Sequence, residues 1–230
     1  MFAVGKDSRR HLDMNKYISL EQFRSKKTAI AILILLHIVG AIGFLSPLSD
    51  WFVFLTPVNL IITAGMIWID TKPDGRGAFP IILAIWLMGY GVEILGVKSG
   101  FPFGDYSYGE VLGWKFFEVP PLIGINWLIV VWGGFSLSQT IGIGPKLRWL
   151  ATPILVVILD YVIEPVAIHF ELWTWENGVP PIQNFLGWFV VAMLMTLLFE
   201  RYPLVKKPRL GLVAFIMQLL FFGVIYLRIS

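Results

Sequence analysis

The sequence predicts an all-α, polytopic membrane protein, a bundle of about seven transmembrane helices. Of its 230 residues, 57% are hydrophobic and 14% are charged, whereas an average soluble domain carries about 25% charged residues. The apolar residues fall into seven runs, each close to the roughly 20 residues that a helix needs to cross a bilayer core. Short clusters of Lys and Arg separate the runs, which is typical of membrane proteins.

The seven predicted spans are joined by short, basic inner loops and by two distinctive outer loops, residues 98–118 and 170–184, that are rich in Gly, Pro, Trp and Tyr. Backbone polar groups in lipid must be hydrogen-bonded within the protein, and long leucine-rich runs therefore indicate helices and not barrel strands. The sixth run is short, but residues 181–183 can extend it. The predicted spans cover residues 28–45, 51–69, 79–97, 119–141, 147–169, 185–199 and 210–227.

The distribution of cations predicts the orientation. With the N-terminus inside, fifteen of the 18 Lys and Arg residues fall in inner segments, and only Lys98, Lys115 and Arg228 fall in outer ones. The C-terminus is then outside, in a multi-pass protein of the cell (inner) membrane. Residues 1–27 are expected to be a basic cytoplasmic segment and not a cleavable signal, and residues 28–230 a single transmembrane domain.

Composition excludes several kinds of site. The chain has no cysteine, so it has no disulfide and no thiolate metal site. No two histidines are near each other in sequence, and we expect no metal site. The net charge of +3 does not indicate nucleic-acid binding, because the cations are spread among the loops. The last predicted span lacks a lysine, which excludes the Schiff base of a retinal protein.

Three acids, Glu93, Asp160 and Glu164, lie within predicted spans. A charge at membrane depth costs on the order of 3 kcal/mol, so such residues normally face the bundle interior. At about 1.5 Å per residue, Glu93 and Glu164 are some 6–8 Å inside the outer boundary. Asp160 is one turn deeper on the same helix face as Glu164. Pro165 is expected to kink this helix beside the acids. A structural link between helices is the alternative interpretation.

The pairing of Asp160 with Glu164 suggests acid–base chemistry. Two carboxylates one turn apart in a medium of low dielectric constant are not expected to be ionised together. The one that keeps its proton near neutral pH is suited to act as a general acid.

The predicted outer loops contribute further polar and aromatic groups. Residues 100–113 are rich in glycine, suggest a folded, re-entrant or lid-like segment, and add Asp105, Tyr106, Tyr108 and Glu110. Trp114 and Trp173 are interpreted as members of an interfacial aromatic belt. Asn184 and Trp188 are expected at the depth of the acids. His37, alone in the middle of the first span, is expected to hydrogen-bond a neighbouring helix.

Three stretches carry a family resemblance. They are VEILGVKSGFPFGDYSY at 92–108, LDYVIEP at 159–165 followed by WTW at 173–175, and GVPPIQNFLGW at 178–188. Together they resemble the membrane carotenoid biosynthesis family that includes carotenoid 1,2-hydratases, among them the bisanhydrobacterioruberin hydratase type. The resemblance covers roughly residues 80–200. Family members often have a Trp-Asp pair and a second Asp before the proline, where this chain has Leu159-Asp160 and Glu164.

The resemblance implies a hydro-lyase that needs no cofactor. It would add water across the terminal C1–C2 double bond of an acyclic carotenoid in the lipid bilayer and form a tertiary alcohol. Asp160 and Glu164 would be the acid–base pair, with Glu93 and Asp105 as further candidates for catalysis. Aromatic rings could stabilise the intermediate cation. The candidates for substrate binding are Tyr106, Tyr108, Asn184, Trp188 and Trp175.

Two other functions remain open at this stage. A membrane-type lycopene cyclase also protonates the end group but closes a ring. A carotenoid-binding membrane protein without enzymatic activity would use the aromatic residues as a groove. Neither the particular carotenoid, nor the oligomeric state, nor an association with other carotenoid enzymes can be read from the residues.

Overall fold

A computed structural model describes residues 26–70, 78–202 and 209–230. The predicted basic segment at residues 1–27 lies almost entirely outside the described residues, as do several cations of the predicted inner loops. The orientation of the termini therefore stays a prediction.

The described residues form eight helices and two short strands. Helix α1 spans Lys26–Phe44. The other elements, in chain order, are α2 (Ser49–Val53), α3 (Thr56–Asp70), α4 (Ala78–Ser99), β1 (Tyr106–Tyr108), α5 (Leu122–Thr140), α6 (Pro145–His169), β2 (Trp173–Trp175), α7 (Ile182–Arg201) and α8 (Arg209–Ile229).

Six of the described helices, α1 and α4 to α8, have the length and apolar composition of membrane spans. Large apolar side chains also lie on their outer surfaces, including Leu35, Ile42 and Leu227. Contiguous exposed apolar surface of this kind fits contact with lipid. The predicted fold class is confirmed: the chain is an all-α, multi-pass membrane protein.

The second predicted span differs from the structure. Residues 51–69 were expected to form one helix, but the chain forms the five-residue α2 and then the separate α3. Pro57 lies at the start of α3, and a proline inside a continuous helix would remove one backbone hydrogen bond and clash with the preceding turn. The 15 residues of α3 measure about 22 Å, less than the roughly 30 Å of a bilayer core.

Helix α5 is the centre of the bundle and packs against α3, α4, α6 and α8. Its contact with α4 is close because Gly89 has no side chain. A Cβ atom added there would lie 2.7 Å from Cβ of Trp127 on α5. Small residues allow two membrane helices to approach in this way. The contact brings the Trp127 indole beside the face of α4 that carries Glu93.

Strands β1 and β2 form a two-stranded antiparallel sheet that the sequence analysis did not predict. Tyr106 pairs with Trp175 and Tyr108 pairs with Trp173. Strand β1 follows α4, and β2 follows α6, so the sheet lies where both helices end. We call this the sheet end of the bundle.

Candidate active site

Glu93 is held by three hydrogen-bond donors. It lies on α4 near the sheet end and is only 2% exposed. Its Oε2 atom accepts hydrogen bonds from the hydroxyls of Tyr106 and Tyr108, the latter at 2.6 Å. Its Oε1 atom accepts one from Trp127 Nε1 at 2.7 Å. Three donors around one carboxylate stabilise its ionised form.

Glu164 on α6 is also held by three donors. Its Oε2 atom accepts hydrogen bonds from Nε1 of Trp173 at 3.0 Å and of Trp175 at 2.8 Å. Its Oε1 atom accepts one from Asn184 Nδ2 at 3.2 Å. Alternate residues of a strand face the same side, so β2 directs both indoles towards the acid.

Asp160 differs from the two glutamates because a single donor reaches it. Asn184 Nδ2 donates to its Oδ2 atom at 3.0 Å and so bridges Asp160 and Glu164. The Oδ1 atom is buried and has no hydrogen-bond partner among the described residues. Asp160 is 1% exposed. The two acids of α6 and the amide of α7 therefore form one buried unit.

The tyrosines of β1 remain neutral donors. Burial raises the pKa of Tyr106 and of Tyr108 above the usual value of a phenol, and the charge of the neighbouring Glu93 raises it further. A phenol with a raised pKa keeps its proton at physiological pH. Both hydroxyls can therefore donate to the Glu93 carboxylate throughout that range.

A small cavity of about 20 Å³ separates Glu93 from Glu164. This volume exceeds the roughly 10–15 Å³ that one water molecule needs. Most of the wall is aromatic, and none of the lining residues, all within the described ranges, is Lys, Arg or His. The cavity is lined by Glu93, Phe103, Tyr106, Tyr108, Ile123, Glu164, Trp173, Trp175, Asn184 and Trp188.

A larger cavity of about 200 Å³ lies beside the small one, and Ile123 and Trp173 belong to the walls of both. It is formed mainly by apolar side chains of α1, α3, α6 and α8. Exposed side chains on α1, on α3 and in the turn before α3 stand at its edge, among them Val39, Val58 and Leu55. The larger cavity therefore reaches the surface where apolar side chains face outward.

The chain is similar to proteins of one known family. A family model described as carotenoid biosynthesis protein matches residues 52–229, which is most of the chain. This chain belongs to the carotenoid biosynthesis protein family. All residues around the small cavity lie within the matched range.

One curated protein of related sequence is a bisanhydrobacterioruberin hydratase from Haloarcula japonica. It is 31% identical over 151 residues, covering 56% of this chain and 49% of that protein. The chain thus spans about half the length of the curated relative that it matches. No solved structure matches the chain.

Most of the predicted site residues of this carotenoid biosynthesis protein lie together. Glu93 and Glu164 line the small cavity, as do all five candidates for substrate binding: Tyr106, Tyr108, Asn184, Trp188 and Trp175. Asp160 is bound to Asn184 behind the cavity wall and does not line it. Asp105 is exposed at the edge of the sheet, where its backbone carbonyl accepts a hydrogen bond from the Glu176 N–H, and it lines neither cavity.

Two other expectations for single residues are wrong. Trp173 was expected in an interfacial belt, but it is buried and donates to Glu164. The pairing of β1 with β2 turns it inward, whereas Trp114 is 74% exposed. His37 was expected to bond another helix, but its Nδ1 atom donates to the Leu33 carbonyl one turn earlier in α1.

Sequence reasoning missed Phe103 and Trp127. Phe103 lies in the loop before β1, and its ring stacks at 6.2 Å on that of Trp127, which in turn stacks at 3.8 Å on Trp188. Trp127 was overlooked because it lies in an apolar run that reads only as a membrane span. The alternation in Tyr106-Ser-Tyr108 and Trp173-Thr-Trp175 was a usable signal, because alternate residues of a strand share a face.

Proposed function

We propose that this protein is a carotenoid hydratase that adds water across the terminal C1–C2 double bond of an acyclic carotenoid end group. Family membership and the related hydratase support a carotenoid substrate. The observation that carries the proposal is the small cavity, where carboxylates from two helices face a space large enough for one water molecule.

The acid in this reaction is the pair of carboxyl groups on α6. Asp160 and Glu164 are one turn apart, share a single amide donor, and have no cation among the residues lining the cavity. Two such carboxylates in a dry environment are not ionised together, so the pair holds one proton. Glu164 is the member that lines the cavity, and it delivers this proton to C2 of the substrate. The π electrons form the new C–H bond and leave a tertiary cation at C1.

The base is Glu93 on the opposite wall. Its three donors are at shorter distances than those of Glu164, which favours the carboxylate form of Glu93. Water attacks C1 and passes a proton to Glu93, and the product is a tertiary alcohol. Return of this proton to the Asp160–Glu164 pair resets the enzyme, and the net reaction consumes one alkene and one water.

The aromatic wall stabilises the cation between these two steps. The rings of Tyr106 and Trp175, with centroids 5.0 Å apart, form part of it together with Trp188. A cation beside such rings in a desolvated site gains on the order of 1–2 kcal/mol. The two nearby carboxylates add electrostatic attraction.

The larger cavity offers the polyene a route from the bilayer. Its volume of about 200 Å³ holds part of a long hydrocarbon, and apolar side chains exposed on α1 and α3 stand at its edge. The end group reaches the acids past the shared wall of Ile123 and Trp173. The polyene thus stays in an apolar environment while its end meets water.

Conversion of an acyclic carotene by purified protein in water enriched in ¹⁸O tests the proposal. A hydratase yields a product heavier by one water, with the ¹⁸O label in its hydroxyl group. A product of unchanged mass but altered chromatographic mobility would indicate the cyclase. Recovery of unchanged carotene bound to the protein would indicate a binding protein.

A further inference from the structure

Ile123 stands between the two cavities. Its side chain is 2% exposed and lines both of them, and among the described residues only Trp173 does the same. Ile123 lies in the first turn of α5, where its N–H donates to the Pro120 carbonyl at 3.0 Å. Trp127, the donor to Glu93, follows one turn later on the same face of α5. A chain that moves from the larger cavity to the acids therefore passes Ile123.

The partition between the cavities has two firmly held sides. On one side, Trp173 Nε1 donates to Glu164 at 3.0 Å, and the Trp173 ring meets the Tyr108 ring edge-on with centroids 6.2 Å apart. On the other side, Ile123 is β-branched, and such a side chain has one strongly preferred rotamer in a helix. Because Ile123 donates no side-chain hydrogen bond, its replacement widens the partition without removing a donor to either glutamate.

The C1 cation of the proposed function can react in two ways. Water can attack C1 and give the alcohol. Where the chain also has a C5–C6 double bond, the π electrons of that bond can instead form a C6–C1 bond. This ring closure moves the cation to C5, and loss of a proton from C4 or C6 to the Glu93 carboxylate leaves a ring with one double bond. The product is an isomer of the substrate, because one proton is gained and one is lost.

Ring closure is the faster of the two reactions unless the chain is kept extended. An intramolecular reaction in good geometry has an effective molarity of roughly 10⁵–10⁸ M. The small cavity of about 20 Å³, by contrast, has room for one water molecule. Ring closure requires the chain to fold until C6 approaches C1. Hydration therefore depends on keeping C6 on the side of the larger cavity while C1 reaches the acids.

We propose that Ile123 is the specificity-determining residue that selects hydration over cyclisation, by holding the chain extended where it passes Trp173. The inference rests on the proposed function, since both reactions start from the same cation. The Ile123 side chain fills the space into which the chain would otherwise fold. Its removal joins the two cavities and lets C6 approach C1.

Product analysis of Ile123→Ala tests this inference. The purified full-length variant acts on an acyclic carotene with double bonds at C1–C2 and C5–C6, in deuterium oxide. The cyclised product carries one deuterium, no added oxygen and a changed chromatographic mobility, whereas the alcohol also carries the added hydroxyl group. The ratio of cyclised product to alcohol is expected to exceed that of the wild-type protein by roughly tenfold, which a change of about 1.4 kcal/mol in the relative barriers produces.

Two further variants accompany this measurement. Ile123→Val removes a single methyl group, should give a smaller rise in the ratio, and decides the question if Ile123→Ala does not fold. Ile129→Ala is the matched control, because Ile129 is also buried on α5 but lines neither cavity. It should keep the wild-type ratio. Elution in size-exclusion chromatography shows which variants are folded.

The outcomes separate this inference from the proposed function. If the wild-type protein forms the alcohol and the folded Ile123 variants form no more cyclised product than it does, the inference alone is overturned. An equal rise in Ile129→Ala also overturns it, since the effect would then come from a general loss of packing. A rise confined to the Ile123 variants supports it. A wild-type protein that forms no alcohol overturns the proposed function, and the inference with it.

Discussion

Asn184 Nδ2 donates to Asp160 Oδ2 at 3.0 Å, and the same nitrogen donates to Glu164 Oε1 at 3.2 Å. One amide from the first turn of α7 therefore connects two carboxyl groups that are one turn apart on α6. A donor shared in this way fixes both acids while leaving Asp160 Oδ1 without a partner among the described residues. Because Asp160 and Glu164 have different hydrogen-bond partners, substituting one acid at a time can distinguish their roles.

Glu164→Gln should strongly reduce the rate of hydration without unfolding the protein. The amide oxygen can still accept from Trp173 and Trp175, but the side chain no longer carries a transferable proton. General acid catalysis is typically worth 10²–10⁴-fold, and we expect a loss in kcat of roughly that size. Product formation is followed by mass spectrometry. Glu176→Gln, an exposed acid after β2, is the control, and equal activity of the two variants would exclude Glu164 as the proton donor.

Asp160→Asn should lower kcat less than Glu164→Gln does. Asp160 does not line the cavity, and its proposed role is to share a proton with Glu164. Its replacement also changes the pH profile of kcat, because the coupled pair becomes a single titrating group. Asp160→Glu restores a carboxyl group and should recover part of the activity. Full activity of Asp160→Asn with an unaltered pH profile would contradict the shared proton.

Tyr106→Phe and Tyr108→Phe should each reduce kcat by roughly 10- to 150-fold. Each variant removes one donor to Glu93 Oε2, and a hydrogen bond to a charged group is worth about 1.5–3 kcal/mol. The double variant leaves Glu93 with Trp127 as its remaining donor and should be more impaired than either single variant. Tyr161→Phe is the control, since that ring is exposed on α6. Wild-type rates in the double variant would remove Glu93 from the mechanism.

Arg148→Met should destabilise the bundle at the end opposite the sheet. Arg148 pairs with Glu200 of α7, donates to the Ile143 carbonyl, and lies 5.2 Å from the centre of the Phe135 ring. Loss of one partner of a largely buried pair costs roughly 3 kcal/mol, because the other charge is left uncompensated. Thermal unfolding in detergent provides the measurement.

The exposed Arg201→Met is the control for this stability prediction. The double variant Arg148→Met with Glu200→Gln should recover part of the lost stability, since no unpaired charge remains. A melting temperature unchanged in Arg148→Met would show that the ion pair does not hold α6 to α7.

Much of the fold could be predicted from the chain, since a membrane span depends on local composition. The predicted and observed helices agree closely, and the suggested extension of the sixth span is confirmed, because α7 begins at Ile182. The prediction of one helix over residues 51–69 was wrong. The apolar composition of this stretch concealed the break in backbone hydrogen bonding at Pro57.

The candidate site could be predicted from the sequence less completely than the fold. Glu93, Asp160 and Glu164 could be selected because a charge in an apolar run is costly, and that cost can be read from the sequence alone. The groups that donate hydrogen bonds to these acids could be predicted from the sequence only in part. Trp173 was interpreted as a surface residue, and Trp127 was not named as a candidate. Whether such a side chain points towards the site or towards lipid depends on which helices and strands pack beside it.

The sequence by itself thus determined that this chain crosses the membrane several times and buries three acids in its helices, because hydrophobic length and the cost of a charge in lipid are local properties. Only the tertiary structure decided which groups meet those acids. The pairing of Tyr106 with Trp175 joins segments nearly 70 residues apart, and the approach of α5 to α4 at Gly89 fixes the direction of Trp127. Contacts between distant segments arise from packing of the whole bundle, and no local pattern specifies them.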